Sequence, residues 1–189
     1  MATMKPSTLL LSLCVFQLLQ VDTWQLSPVN GTCNSFETEV LNEGNRPCVY
    51  NDHLGNPIIG VGFNLEKPHA REKITNIHAD YNLVRTGRAC LSDSQVRKLF
   101  DKNMADAVWC ASSWLSSVWS KMSEERQSAI ADMAFSMGCS RLKTFKKMKA
   151  ALERQDYVRA KHEMRESRWC RQLRSRCDRG GACMHAEID

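Results

Sequence analysis

The sequence predicts an α+β fold, mostly helical, in which a small β-ribbon lobe precedes a helical lobe and a cleft lies between them. Three observations carry this. From Ser92 onwards, apolar residues recur at helical spacing in one segment after another. Between Cys48 and Glu66 the pattern changes: "CVYNDHLGNPIIGVGFNLE" holds a Gly-Asn-Pro turn and then alternates large apolar residues with glycine and asparagine. No linker, repeat or low-complexity tract divides the 189 residues, a length that suits one domain with a sizeable core.

The elements follow in order. "CNSFETEVLNEG" reads as a short helix. Asn34 and Glu37 form a capping-box pair, Phe36, Val40 and Leu41 share one face, and Gly44 ends it. Val49 and Tyr50 begin a strand, "LGNP" turns the chain, and Ile59, Val61 and Phe63 alternate with Gly60, Gly62 and Asn64. Pro68 stands near the start of a helix that carries Ile74, Ile77 and Tyr81. Ser92 and Gln95 cap the next, whose face holds Val96, Leu99, Phe100, Met104, Ala107, Val108 and Ala111. "SEERQSAIADMAFSMG" is the most apolar helix, with Ser123 before it, two glutamates in its first turn and Gly138 after it. Phe145, Met148 and Leu152 mark another, and Asp156 caps one running towards Trp169.

The ends and the cysteines indicate a compartment. Residues 1–23 carry Lys5, an apolar run from Leu9 to Leu19 and then polar residues. That run is too short to span a bilayer but suits a secretory signal, leaving 24–189 as the mature domain. No later segment is apolar enough to cross a membrane. Cys14 leaves with the signal. Cys33, Cys48, Cys90, Cys110, Cys139, Cys170, Cys177 and Cys183 remain, an even set that predicts four disulfides among 105 possible connectivities. The alternative is a zinc site from Cys170, Cys177, Cys183 and His185, which lacks a C-x-x-C pair; no metal or cofactor is expected. Asn30 heads a glycosylation sequon, "NGT".

Positive charge is concentrated. Between Arg141 and Arg179 basic residues exceed acidic ones by about nine, fourteen against five. This is either a solvated helical surface or an attraction to a polyanion. Sparse aromatics and the lack of any nucleic-acid motif argue against nucleic acid as the partner. Searches for other chemistry are empty: there is no G-x-S-x-G, "HEMRE" lacks the second histidine of a zinc protease, and "GVGFNL" lacks the third glycine of a dinucleotide loop.

Two carboxylates remain. Glu43 falls at the end of the first helix, where the negative end of the dipole favours its protonated form. Asp52 lies nine residues later, past the strand entry. One protonated and one ionised carboxyl across a cleft is the equipment of a glycoside hydrolase, and a separation of roughly 6.5–9.5 Å would leave room for a water and give inversion. Spacing alone does not single the pair out, since an acid at a helix end and an acid in a turn are common.

The stretch "LNEGNRPCVYNDHLGNPIIGVGFNL" resembles the active-site region of the phage-type lysozymes, glycoside hydrolase family 24: E-G at the end of the first helix, then Y-x-D, then a ribbon ending in T-I-G-x-G. "RQSAIADMAFSMG" is similar to the family's central buried helix, and "SRWCRQLRSR" to its S-R-W segment with a following arginine. The resemblance spans about residues 34–180. The signal, the sequon and the cysteines are not phage features, which suggests a secreted animal branch.

The resemblance implies a lysozyme-like fold and a muramidase acting on bacterial peptidoglycan, as a monomer without cofactor. It makes Glu43 the proton donor and Asp52 the acid that orients water. It places Arg176 near the glutamate, and Asn64 and Phe135 along the sugar groove, with core packing an equal reading for Phe135. One position departs. Ile58 stands where the family has threonine, whose hydroxyl helps to hold the attacking water, and isoleucine forms no hydrogen bond. The alternative reading is therefore a weakened or inactive wall-binding or cationic antibacterial protein.

Overall fold

The computed structural model describes residue 33, residues 44–52 and residues 55–185, the His185 side chain excepted. The expected signal, the sequon at Asn30 and the helix over 34–43, with Glu43, lie outside the described residues.

The ribbon is a three-stranded antiparallel sheet in the order β1 (Arg46–Asn51), β2 (Pro57–Gly60), β3 (Phe63–Asn64). Tyr50 faces Ile58 and Asn51 faces Pro57, with an irregularity between Arg46 and Tyr50. Ile58 also faces Asn64, and Ile59 faces Phe63. The alternation expected to continue through Val61 is interrupted there. Gly60 and Gly62 both take positive φ, 63° and 71°, and fold the chain back into β3. At Gly60 an added Cβ would sit 3.4 Å from Val96 Cγ1, so the missing side chain also lets the ribbon lie close on the long helix behind it.

Nine α-helices follow among the described residues. The helix expected to start near Pro68 and carry Ile74, Ile77 and Tyr81 is two, α1 (Ala70–Thr75) and α2 (Tyr81–Arg85). His78 adopts φ 59° between them, and Asp80 starts α2 afresh by accepting the N–H groups of Asn82 and Leu83 at 2.8 and 3.0 Å. Ile74 and Ile77 are nevertheless buried.

The long helix α3 (Asp93–Trp114) opens with the expected capping box. Gln95 N–H donates to Ser92 Oγ, and Ser92 N–H donates to Gln95 Oε1 at 2.9 Å. Its predicted face is buried except for Val108, which is half-buried.

Helix α4 (Glu124–Met137) ends at Gly138, φ 85°, but the Ser123 hydroxyl before it makes no capping bond. Then come α5 (Cys139–Leu142), α6 (Lys146–Glu153) and α7 (Tyr157–Arg165). Asp156 caps α7 by accepting Arg159 N–H at 2.9 Å. That helix stops short of Trp169, which sits in a separate helix, α8 (Arg168–Gln172), capped by Ser167; α9 (Arg174–His185) is the last among the described residues. The local stop is physical. The Ser167 hydroxyl accepts Cys170 N–H and so restarts the helix.

One hydrophobic cluster joins the ribbon to the helices. Ile59, Phe63 and Leu65 meet Leu99 and Phe100 of α3, Ile130 and Met133 of α4, Leu152 of α6 and Met164 of α7. Helix α4 packs between α3 and α9.

All eight cysteines pair: Cys33 with Cys183, Cys48 with Cys90, Cys110 with Cys139, and Cys170 with Cys177. The zinc alternative is thereby corrected, because three of its four ligands are consumed in disulfides. Cys48–Cys90 ties β1 to the loop before α3, beside the bond from Leu91 N–H to Pro47 C=O at 2.8 Å.

Candidate active site

The ribbon has two faces, separated by strand alternation. Val49, Ile59 and Phe63 belong to the core side. Tyr50, Ile58 and Asn64 stand on the other side, in register with one another. Ile58 is only 7% exposed although it is not part of the core cluster.

Asp52 follows directly on β1 and closes the turn into β2. Its N–H donates to Asn56 C=O at 2.9 Å, and Gly55 N–H donates to Asp52 C=O at 3.0 Å. Its carboxylate accepts twice from the same residue: Oδ1 from Asn56 N–H at 2.8 Å and Oδ2 from Asn56 Nδ2 at 2.9 Å. Gly55, φ 82°, supplies the left-handed step that the turn needs. The half-buried acid is therefore fixed in orientation at the end of the ribbon face that carries Ile58 and Asn64.

Asn64 Oδ1 accepts Glu66 N–H at 2.7 Å and shapes the ribbon exit. Phe135, on α4, is half-buried and stacks at a tilt on Phe100, with ring centroids 5.4 Å apart. Arg176, on α9, is 4% exposed.

Two residues that sequence reasoning missed surround Arg176. Asp132 of α4 brings Oδ1 within 3.4 Å of Arg176 Nε, and both atoms are shielded from solvent. Burial pushes the Asp132 carboxyl up to about 7, with the Arg179 charge pulling it back. Burial, and then repulsion from Arg179, brings Arg176 down to about 10. The signal was present: Asp132 is an acid inside "AIADMA", an otherwise apolar helix face.

A groove of about 1200 Å³ opens on the helical side. Phe145 and Trp169 line it, with Arg141, Lys146, Lys147 and Arg168 set against Glu163 and Glu166. It shares no lining residue with the Asp52 face.

The sequence profile of the phage lysozyme family matches residues 41–180, well over half of the chain. The chain is 29% identical over 145 residues to the probable T4-type lysozyme 2 of Dictyostelium discoideum, which covers 72% of this chain and 85% of that protein. The probable T4-type lysozyme 1 of the same organism is 26% identical over 144 residues, with the same coverage. The pre-baseplate central spike protein of Enterobacteria phage T4 is 29% identical over 165 residues, 80% of this chain but only 28% of that much longer protein. The matched span runs from before Glu43 past Arg176 and takes in the three-stranded sheet and the helices packed on it. The chain belongs to the phage lysozyme family and is a glycoside hydrolase of the muramidase type.

Proposed function

We propose that the protein is a secreted muramidase that hydrolyses the β-1,4 bond between N-acetylmuramic acid and N-acetylglucosamine in bacterial peptidoglycan, in antibacterial defence or digestion. Residues 1–23 act as the signal, 24–189 form the mature monomeric domain, and Asn30 carries a glycan. Four disulfides favour this oxidising destination.

The observation that carries the reading is the orientation of Asp52. Both of its oxygens accept N–H groups of Asn56, which aims the carboxylate and holds it in place. In the proposed reaction Glu43 gives its proton to the glycosidic oxygen. Asp52 takes a proton from a water that attacks the anomeric carbon from the opposite face, so configuration inverts. Arg176 supports Glu43. Asn64 and Phe135 border the sugar path, and the basic groove on the helical side meets the anionic wall.

Purified protein should clear a suspension of bacterial walls, and Glu43→Gln should abolish the clearing. A Glu43→Gln protein that kills bacteria as well as the parent would refute the enzymatic reading. One observation favours the second reading, a weakened enzyme: Ile58 is buried on the Asp52 face and brings no polar atom to it. Clearing by the parent at a rate no higher than that of Asp52→Ala would select it.

A further inference from the structure

A base that activates water gains from a second acceptor, because a water held by two hydrogen bonds has its lone pair aimed. On the ribbon face, Ile58 has no polar atom, and Asn64 Oδ1 is already engaged by Glu66 N–H. Asn56 is different. It stands one residue before β2, half-buried and opposite Asp52, whose N–H its carbonyl accepts at 2.9 Å.

Its amide has a fixed sense. Asn56 Nδ2 donates to Asp52 Oδ2 at 2.9 Å, which turns the NH2 end of the amide towards the acid. The other end is then the carbonyl oxygen, and no described residue donates to it. Nitrogen and oxygen of one planar amide lie about 2.3 Å apart. Asn56 Oδ1 is consequently at most about 5 Å from Asp52 Oδ2, inside the span of roughly 5.6 Å that one water bridges with two hydrogen bonds.

We infer that Asn56 is a further catalytic residue of this site: its amide nitrogen holds Asp52, and its amide oxygen accepts from the water that Asp52 activates, in place of a hydroxyl at position 58. The inference rests on the muramidase reading above. It ascribes to one side chain both the aim of the base and half of the grip on the nucleophile.

The test is a double-mutant cycle with the mature protein and a soluble chitooligosaccharide or peptidoglycan fragment, recording kcat, KM and thermal midpoint. Asn56→Ala should lower kcat at least tenfold with KM within about threefold, because the lost contacts are to water and base rather than to sugar. Ile58→Thr should raise kcat by less than tenfold in the parent and by a larger factor in Asn56→Ala, since the new hydroxyl then supplies the missing acceptor though not the hold on Asp52. Asn56→Ser, which keeps a short polar turn residue, should fall between the two and covers the case in which the alanine variant folds poorly.

Unchanged kcat in Asn56→Ala or Asn56→Ser, or an equal gain from Ile58→Thr in both backgrounds, overturns the inference while an active parent leaves the muramidase reading intact. A parent no faster than Asp52→Ala defeats both.

Discussion

Arg176 Nε lies 3.4 Å from Asp132 Oδ1, a pairing between helices α9 and α4 with Arg179 alongside. A carboxyl pushed from 3.8 to about 7 holds its proton in the folded chain at pH values where the unfolded chain has lost it. The native state binds more protons through that window, so stability is greatest at its acid end and falls as pH rises towards 7. The full effect is on the order of a few kcal/mol. Asp132→Asn cannot titrate. Denaturant melts should show the variant gaining on the parent between pH 5 and pH 8, and parallel pH dependences would rule the effect out.

The turn bonds of Asp52 and the chemistry proposed for it separate by substitution. Asp52→Asn can still accept Asn56 N–H but cannot take a proton, so activity should fall about 100-fold or more. Asp52→Ala removes the turn bonds as well and should also lower the thermal midpoint. Comparing wall clearing with melting temperature for the two variants checks both effects.

Gly60 combines φ 63° with a close approach to Val96. Gly60→Ala should cost about 1–2 kcal/mol through the left-handed conformation alone, with the 3.4 Å contact adding to it. Gly55→Ala, where no atom lies within 4 Å of the added carbon, should show the conformational cost without the crowding. The difference between their denaturant midpoints isolates the contact.

Cys48–Cys90 closes a sequence separation of 42 residues. In the chain-entropy account that constraint is worth about 4 kcal/mol. The paired substitution of both cysteines by serine should destabilise by this order, with the loss read by urea melts. The ribbon that holds Asp52 should suffer first, seen as faster hydrogen exchange at Tyr50 and Ile58 than in the core of α4.

What the sequence made legible had local causes. Ser92 with Gln95, Asp156 and Gly138 are signals read within a few residues, and each ends or starts a helix where expected. Ser123 has the same residue type as Ser92 but makes no cap bond, because propensity does not fix a rotamer. The break between α1 and α2 needed His78 in a left-handed conformation that few non-glycine residues adopt. The return of the ribbon at Val61 was misread because apolar alternation continues in the sequence while two glycines turn the backbone.

Pairings across the fold were less accessible. Four disulfides were countable, but their partners were not. Asp132 and Arg176 are 44 positions apart in the sequence and meet only when α4 and α9 pack. Asp52 and Ile58 were singled out from motif order. Asn56, the residue that grips the acid, was passed over because it reads as an ordinary turn asparagine.

Cys33–Cys183 makes a closed ring of almost the whole folded chain. Every backbone bond between those two residues, including those around Glu43 and Asp52, is bypassed by that link. A protease that cuts once within the ring opens it but leaves one covalently linked molecule, heavier by a water. The severed ends remain tethered and able to dock again. A single nick there is then a reversible opening rather than a loss of half the molecule.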